Sequence, residues 1–215
     1  MKLASEGNII IYPLFILLLL SIIFGYLYDT SIIYIITSVL TILLIFCFNF
    51  FRDPIRIAPK QDNLILSPAD GKIIKIDEVN DPNSGKKLKM VSIFLSVFNV
   101  HANRMPVDGK FIDVQYIKGK FLAAFDHKAS DYNERTEIQI ETKFGIIMVK
   151  QIAGLVARRI LCYANVGKKM EAGARLGFIR FGSRTDIILP ANINLQIELD
   201  QKVLGGETII GIYEK

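Results

Sequence analysis

Two uncharged stretches of equal length dominate the start of the chain. No Asp, Glu, Lys or Arg lies between Glu6 and Asp29, or between Asp29 and Arg52, so each stretch holds 22 residues (7–28 and 30–51). About twenty apolar residues in a helix span the hydrocarbon core of a bilayer. The first stretch contains IIIYPLFILLLLSIIFGYLY and the second SIIYIITSVLTILLIFCFNFF. A signal peptide has one short apolar region and then a small-residue cleavage site. Here two spans stand back to back, and no such site follows the first. A buried core helix would carry polar positions at helical spacing, and these are scarce. The pattern therefore predicts a transmembrane helical hairpin over 1–51. Pro13 falls in the opening turns of the first span, where it is tolerated. Tyr12, Tyr26, Tyr28 and Tyr34 lie near the span ends, as interfacial anchors should.

Flanking cations set the expected orientation. Lys2 precedes the first span, Arg52, Arg56 and Lys60 follow the second, and the turn between them carries only Asp29. The positive-inside rule then places both ends, and everything after residue 52, on the cytoplasmic face of the cell membrane. Setting aside Lys2, Glu6 and Asp29, the remainder holds 25 basic and 19 acidic residues, a net of +6. That charge fits attraction to anionic lipid headgroups as well as ordinary solubility. No dense Lys/Arg tract with interleaved aromatics is present, so nucleic acid is not an expected partner. One of the two cysteines, Cys47, is in a span and the other, Cys162, is in the domain. An unpaired state in a reducing compartment is expected.

Residues 52–215 read as one mainly β domain, an all-β sandwich or barrel. In TEIQIET (136–142) Ile138 and Ile140 alternate with polar residues, and in NINLQIELD (192–200) Ile193, Leu195, Ile197 and Leu199 do the same. Alternation marks strands with one buried face. Further strands are expected at 71–77, 88–96, 110–118, 146–152, 174–181 and 207–213, separated by turn signals such as DPNSG and LGG. Residues 121–135 read as a loop or short helix. The Gly182-Ser183 pair stands between two strand patterns.

Few residues offer themselves for chemistry. With two histidines and one cysteine in the domain, a clustered metal site is not expected. No G-x-S-x-G, phosphate-binding loop or dinucleotide fingerprint occurs. His101 follows a strand and His127 lies in the long irregular segment. Asp70 precedes Gly71 in a turn-like context. Arg158 and Arg159 form a pair whose planar forks would suit a phosphate.

Taken in order, SPADGKI, FLSVFNVHANRMP, FDH, NER, AGLVARRI and RFGSRTDIILP resemble the motif set of phosphatidylserine decarboxylase proenzymes. The likeness to the short form of that family covers 52–215, and the two-span leader is similar as well. The resemblance implies an autocatalytic break at Gly182-Ser183, with the Ser183 hydroxyl attacking the Gly182 carbonyl. It implies that Ser183 becomes a covalent pyruvoyl group, the cofactor. That group would form a Schiff base with phosphatidylserine in the membrane and yield phosphatidylethanolamine and carbon dioxide. The two cleaved chains would stay together as a heterodimer, and the family suggests a homodimer of these. In the larger relatives an Asp, a second His and the Ser form a triad for self-cleavage. Asp70 and Ser183 match two members, but Arg104 stands at the position of that His. The base for cleavage is thus left open. His101 resembles the His assigned to decarboxylation, and His127 matches a family His that would suit either step.

Two other readings stay open from the residues. One is a pyruvoyl decarboxylase acting on a different amine. The other is non-enzymatic, because SPADGKI and VGKKMEAGARLGFI (166–179) also resemble the hairpins of lipoyl-like adaptor barrels. A membrane-anchored binding module of that kind would keep its chain intact.

Overall fold

A computed structural model describes residues 2–81, 84–155, 159–180 and 182–214. The chain divides into two compact units, Met1–Ile55 and Arg56–Lys215.

In the first unit a single 3₁₀ turn (Ser5–Gly7) leads into α1 (Asn8–Tyr28), and α2 (Ser31–Phe50) follows. Both helices have a mean hydropathy of 2.6 over their most apolar window and are long and apolar enough to cross a membrane. Asp29 ends α1 in the left-handed conformation (φ 45°), and its N–H donates to the Gly25 carbonyl at 3.1 Å. Asp is among the few residues that take this conformation as single turns. Ser21 and Gly25 are buried small residues on α1. Thr37 Oγ1 of α2 donates to Ser21 Oγ at 3.1 Å. Small residues and hydroxyl bonds of this kind hold membrane helices together. Ile16, Ile35, Ile42 and Ile45 are 56–66% exposed. Helices apolar all round, with so little covered by protein, match a bilayer as solvent.

The second unit is mainly β. Its strands are β1 (Leu64–Leu66), β2 (Gly71–Asn80), β3 (Lys87–Leu95), β4 (Ala102–Arg104), β5 (Gly109–Ile117), β6 (Arg135–Thr142) and β7 (Gly145–Ala153). They continue as β8 (Ile160–Cys162), β9 (Lys169–Met170), β10 (Arg175–Ile179), β11 (Ser183–Pro190), β12 (Ile193–Leu195), β13 (Lys202–Val203) and β14 (Ile209–Tyr213). One short helix, α3 (Ala129–Tyr132), interrupts the segment before β6. A curled eight-stranded sheet has the order β13-β2-β3-β11-β7-β6-β5-β9, and two three-stranded sheets have the orders β1-β14-β12 and β4-β10-β8.

The strand that begins at Ser183 is central to this sheet. β11 is antiparallel to β3 on one side and to β7 on the other. On its inner face Val91, Ile187, Val149 and Ile138 form one row across β3, β11, β7 and β6, and all four are fully buried. The next row is Ile93, Thr185, Gln151 and Thr136, and the row after it brings Leu95, Ser183 and Ala153 together. The inner face thus changes from apolar to polar toward the end where Ser183 lies. Most buried polar groups find a hydrogen-bond partner. Here Gln151 Nε2 donates to Asn103 Oδ1 (2.8 Å) and Asn103 Nδ2 donates to Thr185 Oγ1 (2.9 Å).

One strand is shorter than its alternation predicts. β12 ends at Leu195, and Leu199 is 59% exposed rather than turned inward. The Asp200 N–H donates to the Ile73 carbonyl and the Ile73 N–H donates to the Gln201 carbonyl, both at 2.9 Å. The chain leaves the line of β12 to make these bonds with β2, and Asp200 takes a positive φ of 70°.

Candidate active site

The peptide between Gly182 and Ser183 lies at the entry to β11. Gly182 has φ +64°, a left-handed conformation that costs a residue with a Cβ roughly 1–2 kcal/mol. Ser183 pairs with Leu95 and Ala153 and is fully buried. Its hydroxyl has no hydrogen-bond partner among the described residues. Leaving a buried hydroxyl unpaired costs about 1–3 kcal/mol.

Two other elements reach the same peptide. His101 is fully buried and lies just before β4, whose partner β10 runs toward residue 182. The His101 Nδ1 lies 3.0 Å from the Asn99 carbonyl. A carbonyl only accepts, so Nδ1 carries the proton and Nε2 presents its lone pair. That Nε2 accepts the Gly182 N–H at 3.3 Å. From the end of β7, Gly154 packs against the Gly182 carbonyl. A Cβ at residue 154 would stand 2.3 Å from that oxygen and 3.2 Å from its carbon.

The segment 121–133 covers this end of the sheet. Asn133, fully buried, donates from Nδ2 to the carbonyls of Leu122 (2.9 Å) and Ala153 (2.8 Å), and its Oδ1 accepts the Leu122 N–H (2.9 Å). On the outer face, Arg184 and Asp186 form a buried ion pair of 2.6 Å. Arg184 also donates to Ser92 Oγ (2.6 Å) and to the Asp126 carbonyl (3.3 Å), and Ser130 Oγ donates to Asp186 Oδ2. Two residues of the segment are therefore tied to the strand that starts at Ser183.

The other residues singled out from sequence fall in different places. The Asp70 carboxylate, before β2, bonds Arg56 (2.7 Å) and accepts the Gly205 N–H (2.8 Å), and Arg56 in turn bonds Glu207 (2.7 Å). β3 stands between β2 and β11. Arg104 donates to the Gly173 carbonyl at 3.3 Å, and its side chain packs over Gly206. His127 is exposed and borders a cleft of about 720 Å³ on the outer face, together with Ser130, Lys150 and Arg184. No hydrogen bond among the described residues joins His127 to Gly182 or Ser183. Arg184 lines this cleft and Ser183 does not, since neighbours on a strand face opposite sides of the sheet. Arg159 is exposed, and Arg158 lies outside the described residues.

The family model described as phosphatidylserine decarboxylase matches residues 43–211. The chain belongs to the phosphatidylserine decarboxylase family. A phosphatidylserine decarboxylase proenzyme of Ehrlichia ruminantium (strain Gardel) is 46% identical over 213 residues, covering 98% of this chain and 90% of that protein. One from Wolbachia pipientis wMel is 50% identical over 175 residues (79% and 76%), and one from Geobacter sp. (strain M21) is 45% identical over 172 residues (80% and 78%). Within this decarboxylase family member, Gly154 packs against the Gly182 carbonyl and Asn133 bonds the Ala153 carbonyl that precedes it; residue types alone did not single out either one. Gly154 and Asn133 stand inside the AGLVARRI and NER motifs, but nothing local in those motifs tells which residue faces residue 182.

Proposed function

We propose that this chain decarboxylates phosphatidylserine to phosphatidylethanolamine with a pyruvoyl group made from its own Ser183. Family membership supports the substrate and the reaction. The observation that carries the chemistry is the buried Ser183 hydroxyl, which has no hydrogen-bond partner among the described residues, next along the chain to Gly182, whose N–H donates to His101 Nε2.

In the self-cleavage, Ser183 Oγ attacks the Gly182 carbonyl carbon, and the amide becomes an ester as nitrogen leaves. A serine nucleophile needs a base for its proton. His101 is the base this geometry favours, because its Nδ1–H is held by Asn99 and its Nε2 faces the peptide. Loss of the Ser183 Cα proton then expels the Gly182 carboxylate and leaves dehydroalanine. That tautomerises to an imine, and water hydrolyses it with release of ammonia. Gly154 leaves the space in which the Gly182 carbonyl lies. A ketone formed at residue 183 would supply an electrophile for the substrate amine and a sink for the electron pair that carbon dioxide leaves behind. His101 then holds a proton for return to the product.

The two product chains would remain one body. The chain beginning at Ser183 supplies β11, bonded on both edges, and β14, which pairs with β1 of the other chain. The two apolar helices support a membrane location, which suits a lipid substrate.

Ser183→Ala tests the reading. The variant should remain a single 215-residue chain without decarboxylase activity on phosphatidylserine vesicles. Normal cleavage or activity in this variant would refute the role of Ser183.

A further inference from the structure

The buried polar row next to Ser183 has no part in the chemistry described above. Its residues stand in step with the site. Asn103 lies two residues after His101, Thr185 two after Ser183, and Gln151 two before Ala153, the register partner of Ser183. Asn103 is on β4, in a three-stranded sheet, whereas Thr185 and Gln151 are paired on β11 and β7 of the eight-stranded sheet. The bonds from Asn103 to Thr185 (2.9 Å) and from Gln151 to Asn103 (2.8 Å) therefore tie the strand that follows His101 to the sheet that carries Ser183.

The surroundings make room for this tie. Asn103, Gln151 and Thr185 are all fully buried. Gly177 faces Asn103 in the register of β4 and β10. A Cβ at residue 177 would stand 2.5 Å from Gln151 Nε2, so the glycine leaves space for the amide that reaches Asn103. The row also costs stability. Gln151 Oε1 is buried with no partner among the described residues, a penalty that apolar side chains of similar shape would avoid. Stability alone does not explain such a row. Position does, because a hydrogen bond fixes distance and direction, whereas apolar contact is non-directional.

We propose that Asn103 is a positioning residue for the self-cleavage: held by Thr185 and Gln151, it sets where His101 stands against the Gly182-Ser183 peptide. It rests on the self-cleavage reading above. The side-chain bonds of Asn103 go to neither Gly182 nor Ser183, so it acts through His101, whose Nε2 meets the Gly182 N–H at 3.3 Å.

Thr185→Val removes the acceptor of one Asn103 bond, and Thr185→Ser keeps it. A small misplacement of a reacting group costs orders of magnitude, so cleavage of the full chain should slow at least about tenfold in Thr185→Val. Thr185→Ser should restore it to within about threefold of wild type. In a His101→Ala background the valine should add less than about threefold, because groups that act through one another are not additive. Gln151→Met, which removes the other bond, should repeat this pattern, so the test stands if one variant does not fold. A loss of equal size with and without His101, or no loss from either variant, would overturn the proposal. Ring position is also read apart from cleavage. The chain has only two histidines, so a Ser183→Ala chain with isotope-labelled histidine nitrogens shows two imidazoles by magnetic resonance, and His127→Ala assigns them. Adding Thr185→Val should move the His101 signals and leave those of His127. Unmoved His101 signals would overturn the proposal. An unbroken wild-type chain in the time course would instead refute the self-cleavage reading, while the ring signals still test the anchor.

Discussion

At the scale of single residues, the proposed self-cleavage rests on the space left by Gly154 and the lone pair of His101 Nε2. Gly154→Ala places a carbon 2.3 Å from the Gly182 oxygen, so the carbonyl must move. Positioning of reacting groups is worth orders of magnitude, and this variant should cleave at least about a hundredfold more slowly. Gly109→Ala is the matched control, since its Cβ would meet Ile140 at 2.4 Å on β5, away from the peptide. If Gly154→Ala cleaves no more slowly than Gly109→Ala, residue 154 is only a packing position. His101→Ala should slow both cleavage and decarboxylation, each by roughly 10²–10⁴-fold, the usual worth of acid–base assistance. His127→Ala should leave cleavage close to wild type. A time course of precursor and product on a denaturing gel reads both variants. The two histidines were not separable from sequence. What separates them is the β4–β10 pairing, which carries the His101 carbonyl to the Ile179 N–H (3.2 Å) and its ring to Gly182.

At the scale of elements, local pattern was a good guide wherever one strand decided its own fate. Ile138 and Ile140 alternate as expected and are fully buried. Leu199 departs from expectation because distant β2 recruits the chain at Asp200 and Gln201. Gly154 escaped notice for the same reason, since only the β7–β11 register places it beside residue 182. The buried pair Arg184–Asp186, with Ser130, joins the covering segment to β11. Asp186→Ala strands a guanidinium that is 1% exposed, and removing one partner of a buried pair costs about 3–5 kcal/mol. Its thermal unfolding midpoint in detergent should fall well below that of wild type. An unchanged midpoint would mean that water reaches Arg184. Glu137 offers a pH test. Burial pushes its carboxyl up, but hydrogen bonds from Arg135 (2.7 Å) and Lys150 (3.0 Å) outweigh that and hold it below the ordinary carboxylate range. A depressed carboxylate stabilises the fold above the unfolded value of about 4.3 and loses that contribution as pH falls through the folded value. The stability gap between wild type and Glu137→Gln should therefore narrow on acidification from neutrality to about pH 3. A gap independent of pH would contradict the ion pairing.

At the scale of the whole molecule, two helices long and apolar enough to cross a membrane precede the mainly β unit. The cations at Lys2, Arg52, Arg56 and Lys60 support a domain on the cytoplasmic face, since basic flanks resist translocation. Protease added outside intact cells should leave residues beyond 52 whole, and digestion there would reverse the orientation. Intact mass of the purified protein reads the cleavage between Gly182 and Ser183 without any assay of activity. The account predicts two chains, residues 1–182 and a 33-residue chain of 183–215. The smaller should be lighter by one ammonia than a serine-led fragment and should resist sequencing from its amino end. A single chain of 215 residues, or a small chain that begins with an ordinary serine, would contradict it.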